Sequence, residues 1–185
     1  MFRRLVTALI VCAVPIALGA TVLLPAEFRE IVNGSDVIVY GRVSAIEPRW
    51  GDDRKHVDTL VTLQTGTYLK GSAGGALVFK VPGGTIGRYM NVTVGAPGFN
   101  VGDEAVFFLS TRGRDMPAIF GLNQGVFRVS IDAVTHRRLV TPPVLARRDA
   151  AETVQRGDAG RKPLPLETFG SQVQSVLAET ARNAR

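Results

Sequence analysis

The chain has 185 residues, with 22 Lys and Arg against 16 Asp and Glu, a formal net charge of +6 and a single cysteine. One cysteine excludes a disulfide framework. Two histidines leave few candidates for a catalytic base or a metal ligand.

The chain opens Met1-Phe2-Arg3-Arg4, a short positive start. An apolar run from Leu5 to Leu18 follows, interrupted only by Thr7 and Pro15, and the small residues Ala17, Gly19 and Ala20 close it. This order predicts a secretory signal peptide over residues 1–20. The run falls short of the roughly 20 residues of a membrane span, and Pro15 would break a helix there. Cys12 lies inside the run behind Leu9, Ile10 and Val11, not the small residues of a lipidation signal. Cleavage would therefore leave no thiol, removing disulfides, thiolate metal sites and cysteine nucleophiles together. The expected location is secreted or periplasmic, and membrane contact is expected only transiently, through the signal segment. Losing Arg3 and Arg4 takes two charges from the +6, and the remaining excess equals that between Arg137 and Lys162. About 165 residues remain, enough for one hydrophobic core.

Past the signal, Pro25 to Val32 reads as a short helix, with Phe28, Ile31 and Val32 on one face and Asn33-Gly34 as its stop. Asp36 to Val43 is a β-branched run followed by alternation, hence a strand. Glu47 to Asp58 reads as a polar loop holding Trp50. Further strands are expected at Thr59–Thr65 (with Thr67–Leu69 as an extension), Ala76–Val81, Met90–Val94, Glu104–Leu109 and around Val126–Val129. The fifth is apolar from Ala105 to Leu109 and so buried on both faces. Short strands between Gly- and Pro-rich turns predict a mainly β domain, a small antiparallel barrel or a sandwich, over residues 21–141. Residues 142–165 read as a basic, Pro-containing linker. Residues 166–185 read as a C-terminal amphipathic helix with Leu166, Phe169, Val173, Val176 and Leu177 on one face, docked on the barrel or open to a partner.

The order of motifs is similar to a group of uncharacterised bacterial exported proteins. The resemblance rests on Ser35 to Val43, Leu69-Lys70-Gly71, Val81-Pro82-Gly83-Gly84, Gly95-Ala96-Pro97-Gly98-Phe99, Gly102-Asp103-Glu104 and Leu122-Asn123-Gln124-Gly125. More broadly, the arrangement resembles the OB-like domain of tissue inhibitors of metalloproteinases and netrin modules. That resemblance implies an OB-like barrel. Those inhibitors chelate zinc through an amino-terminal cysteine, which a mature chain without cysteine lacks, so no residue inherits the mechanism.

No nucleophile–base pair stands out. His56 lies among Arg54, Lys55 and Asp58, and His136 lies in a turn, neither with metal-ligand spacing. Asp103 and Glu104 are neighbours on a strand and so face opposite ways. Val81-Pro82-Gly83-Gly84 lacks the lysine and helix of a phosphate loop. No cofactor and no metal are expected. The candidate contact residues are Trp50, Gly83, Gly84, Pro97, Phe99, Asn123 and Gln124, with the Gly95–Phe99 turn presenting Phe99. The leading expectation is an exported, monomeric, non-catalytic module that binds a protein, an exported peptidase among the candidates. One alternative is a polyanion- or oligonucleotide-binding OB-like protein using Arg137, Arg138, Arg147 and Arg148, although export weighs against nucleic acid. The other is an envelope hydrolase centred on His56 or His136.

Overall fold

A computed structural model describes residues 26–111, 113, 115–143 and 162–184. The signal segment expected at 1–20, most of the 142–165 linker, and Arg147 and Arg148 lie outside the described residues.

The protein is mainly β, with a closed five-stranded barrel, a short helix before it and a C-terminal helix. The barrel strands are β1 (Val37–Trp50), β2 (Val57–Lys70), β3 (Ala76–Pro82), β6 (Glu104–Ser110) and β7 (Ala118–Ile119). Their order around the barrel is β1-β2-β3-β7-β6, and β6 returns to pair with β1. All these pairings are antiparallel except β3–β7. This is the Greek-key closure of an OB-like barrel.

β1 makes the closure possible. Val37 to Arg42 pair with β6 on one side, while the strand pairs along its length with β2 on the other. Register shifts at Ile38/Val39, Tyr40/Gly41 and Val43/Ala45 bend it around the barrel. Gly41 sits at the sharpest approach, where a Cβ would lie 2.9 Å from the carbonyl oxygen of Gln64. The β1–β2 ribbon is longer than the sequence suggests. Glu47 to Trp50 belong to β1 and Val57-Asp58 to β2, so the turn spans only 51–56. Residues 47–50 are exposed on both sides of the ribbon, so they carry no apolar alternation.

The apolar run of β6 is buried on both faces. Ala105, Phe107 and Leu109 point into the barrel with Val39, Val61 and Phe79. Val106 and Phe108 point out into a second core beneath the helices. There α1 (Phe28–Gly34) and α2 (Leu166–Asn183) lie together on the sheet. Phe28, Phe108, Phe127 and Phe169 form a ring cluster with centroids 5.0–6.3 Å apart. Arg29 pairs with Glu179, and the Thr180 hydroxyl donates to Asn33, so the two helices also clasp each other.

Five strands escape the sequence pattern or shift within it. β4 (Gly84–Ile86) and β5 (Tyr89–Asn91) form a separate hairpin around Gly87-Arg88. The strand expected at Met90–Val94 therefore starts one residue earlier and ends at Asn91. After β7 a 3₁₀ turn at Leu122–Gly125 interrupts the chain, and β8 (Val126–Ile131) resumes pairing with β6. β8 then carries β9 (Arg138–Thr141) and β10 (Leu164–Pro165) outward as an extension of the sheet. β7 and β10 have two residues each, too short for any periodicity to reveal.

Candidate functional site

Most of the distinctive motifs turn out to be spent on the fold. Lys70 Nζ donates to the carbonyls of Val32 and Asn33 at 3.0 and 3.2 Å, capping the C-terminus of α1. Gln124 is 2% exposed, and its side-chain oxygen accepts from the Ala26 N–H at 2.6 Å. Asn123 donates its backbone N–H to Gly95 O at 3.1 Å. Gly125 crosses β6 so closely that a Cβ would lie 2.7 and 2.8 Å from the carbonyls of Phe120 and Phe108. Asp103 accepts from the Asn100 N–H and from Arg128, both at 3.0 Å.

Glu104 anchors a larger ionic cluster on the outer face of the sheet. It accepts from the Tyr40 hydroxyl and pairs with Arg42, and Arg138 lies 3.6 Å away. Burial pushes its carboxyl up, but the Tyr40 and Arg42 hydrogen bonds and the two guanidinium charges together hold it below the ordinary range. Burial and then the Glu104 hydrogen bond push the Tyr40 hydroxyl up. Arg138 also lies over the Tyr40 ring at 5.9 Å. Of the candidate polyanion arginines, Arg138 is thus committed to this cluster, while Arg137 is exposed.

Four of the contact candidates converge. Gly83, Gly84, Pro97 and Phe99 line one cleft of about 350 Å³ between the β4–β5 hairpin and the 95–99 turn. Gly83 takes φ +100°, and a Cβ there would lie 2.9 Å from Asn91 O, so only glycine lets the two arms of the hairpin approach. Thr59 locks this mouth by donating to Gly83 O at 2.6 Å. Phe99 differs from expectation. Its ring turns inward against Phe79 and Phe107 at 5.9 and 5.8 Å, plugging the barrel, with Arg128 above it at 5.6 Å. The barrel needs an apolar stopper at its open end, and that demand outweighs display. Pro97 is buried too.

Trp50 stands apart from the cleft, at the end of β1. It packs edge-on against Tyr89 at 5.2 Å and remains 40% exposed. The pair borders an open hollow with Gly51, Asp52, Arg54 and Lys55. Tyr89 opens an apolar strip that sequence reasoning read only as a strand: Tyr89 is 68% exposed, Met90 72%, Val92 73% and Val94 91%. The signal was present in the alternation of Met90, Val92 and Val94, but alternation alone does not say which face is wet.

His56 is placed in the β1–β2 turn, with Nδ1 2.9 Å from Asp53 and Nε2 3.3 Å from Asp58, while Lys80 lies 3.6 Å from the same Asp58. It borders a small apolar cleft with Pro82, Pro97 and Ile119. His136 sits in the β8–β9 turn with φ +55° and donates its N–H to Asp132 O. The two histidines stand on different turns, and the nearby Thr59 hydroxyl is already donated to Gly83. Among the described residues, no three His, Cys, Asp or Glu side chains gather in a way that could hold a metal ion.

The fold and this end of the barrel define an OB-like domain with a clasped helix pair behind and an apolar hairpin in front. No family model matches the chain, and no curated protein matches it.

Proposed function

We propose that this is an exported, non-catalytic module that binds a protein through the hairpin end of its barrel. The observation that carries the reading is the apolar strip from Tyr89 to Val94, more than two-thirds exposed at each large residue and running beside the Gly83–Phe99 cleft. A monomeric exported protein gains nothing from such a strip unless something covers it. Export rests on the leader at 1–20, and the resemblance to metalloproteinase inhibitors makes an exported peptidase one candidate partner.

The polyanion reading draws less support. Of the described basic residues on the β8–β9 face, Arg128 pairs with Asp103 and Arg138 shares Glu104 with Arg42, which leaves Arg137 as the one without an ion pair among the described residues.

The test is site-specific crosslinking in the producing culture. A photoreactive phenylalanine placed at Met90 is expected to capture a discrete protein adduct. The same group at Ser130, exposed on β8, is expected to capture none. Equal adducts at both positions, or none at either, would sink the assignment of this surface.

A further inference from the structure

The occupant's chemistry can be read from the edge it would meet. β5 pairs with β4 on one side and with no strand on the other among the described residues. The hairpin closes through a two-residue turn, so Ile86/Tyr89 and Gly84/Asn91 exchange hydrogen bonds while the N–H and C=O of Met90 point away from β4. Met90 thus offers a donor and an acceptor to an added strand. Its side chain and that of Val92, one residue past the end of β5, are both mostly exposed and border the Gly83–Phe99 cleft.

The charges around this edge are unbalanced. Arg88 sits at the hairpin tip, and Arg54 and Lys55 border the Trp50–Tyr89 hollow. Among the described residues none of these three makes an ion pair, and the only unpaired carboxylate beside them is Asp52. Asp53 accepts from the Lys55 backbone N–H at 2.8 Å and lies 2.9 Å from His56, a partner charged only when protonated, so with Asp52 and Asp53 both counted the rim carries three cations against two carboxylates.

We infer that the hairpin end receives an extended, acidic segment of a partner protein, added as a strand to the free edge of β5. The inference rests on the protein-binding reading and sharpens it. Main-chain bonds to Met90 supply the pairing, apolar side chains at alternate positions cover Met90 and Val92, and carboxylates meet Arg54, Lys55 and Arg88. A second copy of this chain fits poorly, because edge-to-edge pairing would bring two identical basic rims together.

The test uses the full purified chain and three fluorescein-labelled, end-capped octapeptides: alternating Val-Glu, alternating Val-Lys, and Val-Glu methylated at every second amide nitrogen. Saturable binding of the Val-Glu peptide is expected. Binding should weaken by about tenfold or more for each of the other two, since one loses the charge match and the other the strand hydrogen bonds. The exposed substitutions Arg88→Glu and Met90→Asp should each weaken Val-Glu binding with an unchanged circular dichroism spectrum. Equal binding of the Val-Lys or the methylated peptide overturns the inference. So does self-association in sedimentation, or firmer capture by phosphatidylglycerol vesicles than by the peptide. A Met90 crosslink to a partner without any Val-Glu binding sinks the strand-addition inference and leaves the protein-binding reading standing. Loss of both sinks both.

Discussion

Replacing Phe169 by alanine tests how the C-terminal helix is held. The ring is 3% exposed and meets Phe28, Phe127 and Phe108 at 5.6, 5.1 and 6.3 Å. Burial of such a ring is worth about 2–3 kcal/mol. Three aromatic contacts add roughly 0.5–1.5 kcal/mol each at most, shared among rings that also touch one another. Alanine returns about 0.5 kcal/mol through its better helix propensity. The net cost is about 3–4 kcal/mol, within the usual range for a buried Phe→Ala change. Against a total stability of roughly 5–15 kcal/mol, that lowers the melting temperature by about 10 °C. Urea unfolding can be followed by far-ultraviolet circular dichroism, which sees the helices, and by the fluorescence of the only tryptophan, Trp50, at the hairpin end. Both transitions should move together to lower urea. A cost under about 1 kcal/mol, or a shift in the dichroism alone, would refute the view that α2 and the barrel share one cooperative core.

Other substitutions separate the parts of the molecule. Gly125→Ala would push a methyl group against two backbone carbonyls and should cost about 2 kcal/mol or more by the same urea measurement. Phe99→Ala opens the barrel mouth and should cost about 2 kcal/mol, while Trp50→Ala should change stability by under about 1 kcal/mol and still weaken the Met90 crosslink. Glu104 titrates lower in the folded chain than in the unfolded one. Its charge therefore stabilises the fold above about pH 4.3, and that contribution is lost as pH falls through the depressed folded value. Glu104→Gln should flatten the acid limb of the stability–pH curve; an unchanged slope would mean the Tyr40–Arg42–Arg138 cluster does not hold the carboxylate.

The sequence carries the barrel in β2, β3 and β6 because each has an apolar face, or two, to bury. It hides the reach of the β1–β2 ribbon, because Glu47 to Trp50 have water on both sides and no core to alternate against. β7 and β10 are set by tertiary pairing and leave no periodic trace. Turn glycines and capping polar groups look alike in sequence whether they serve a partner or the fold. Asn123, Gln124 and Lys70 serve the fold here, and only the structure shows that Gly83, which lets the hairpin arms approach, lines a cleft as well. Phe99 was legible as an aromatic on a turn, but the side it faces depends on whether the barrel end is otherwise filled. The strip beside it needed exposure, not pattern, to be recognised.

The long first strand also sets a polarity. Ile38 sits beneath the helices and Trp50 at the hairpin, twelve residues and roughly 40 Å of strand apart. α1 and α2, which lie at opposite ends of the described chain, clasp each other on the rear face, so the ends of the described chain come together. A tether attached through either helix would leave from the same side of the domain and hold the hairpin outward, like a hook on a stalk.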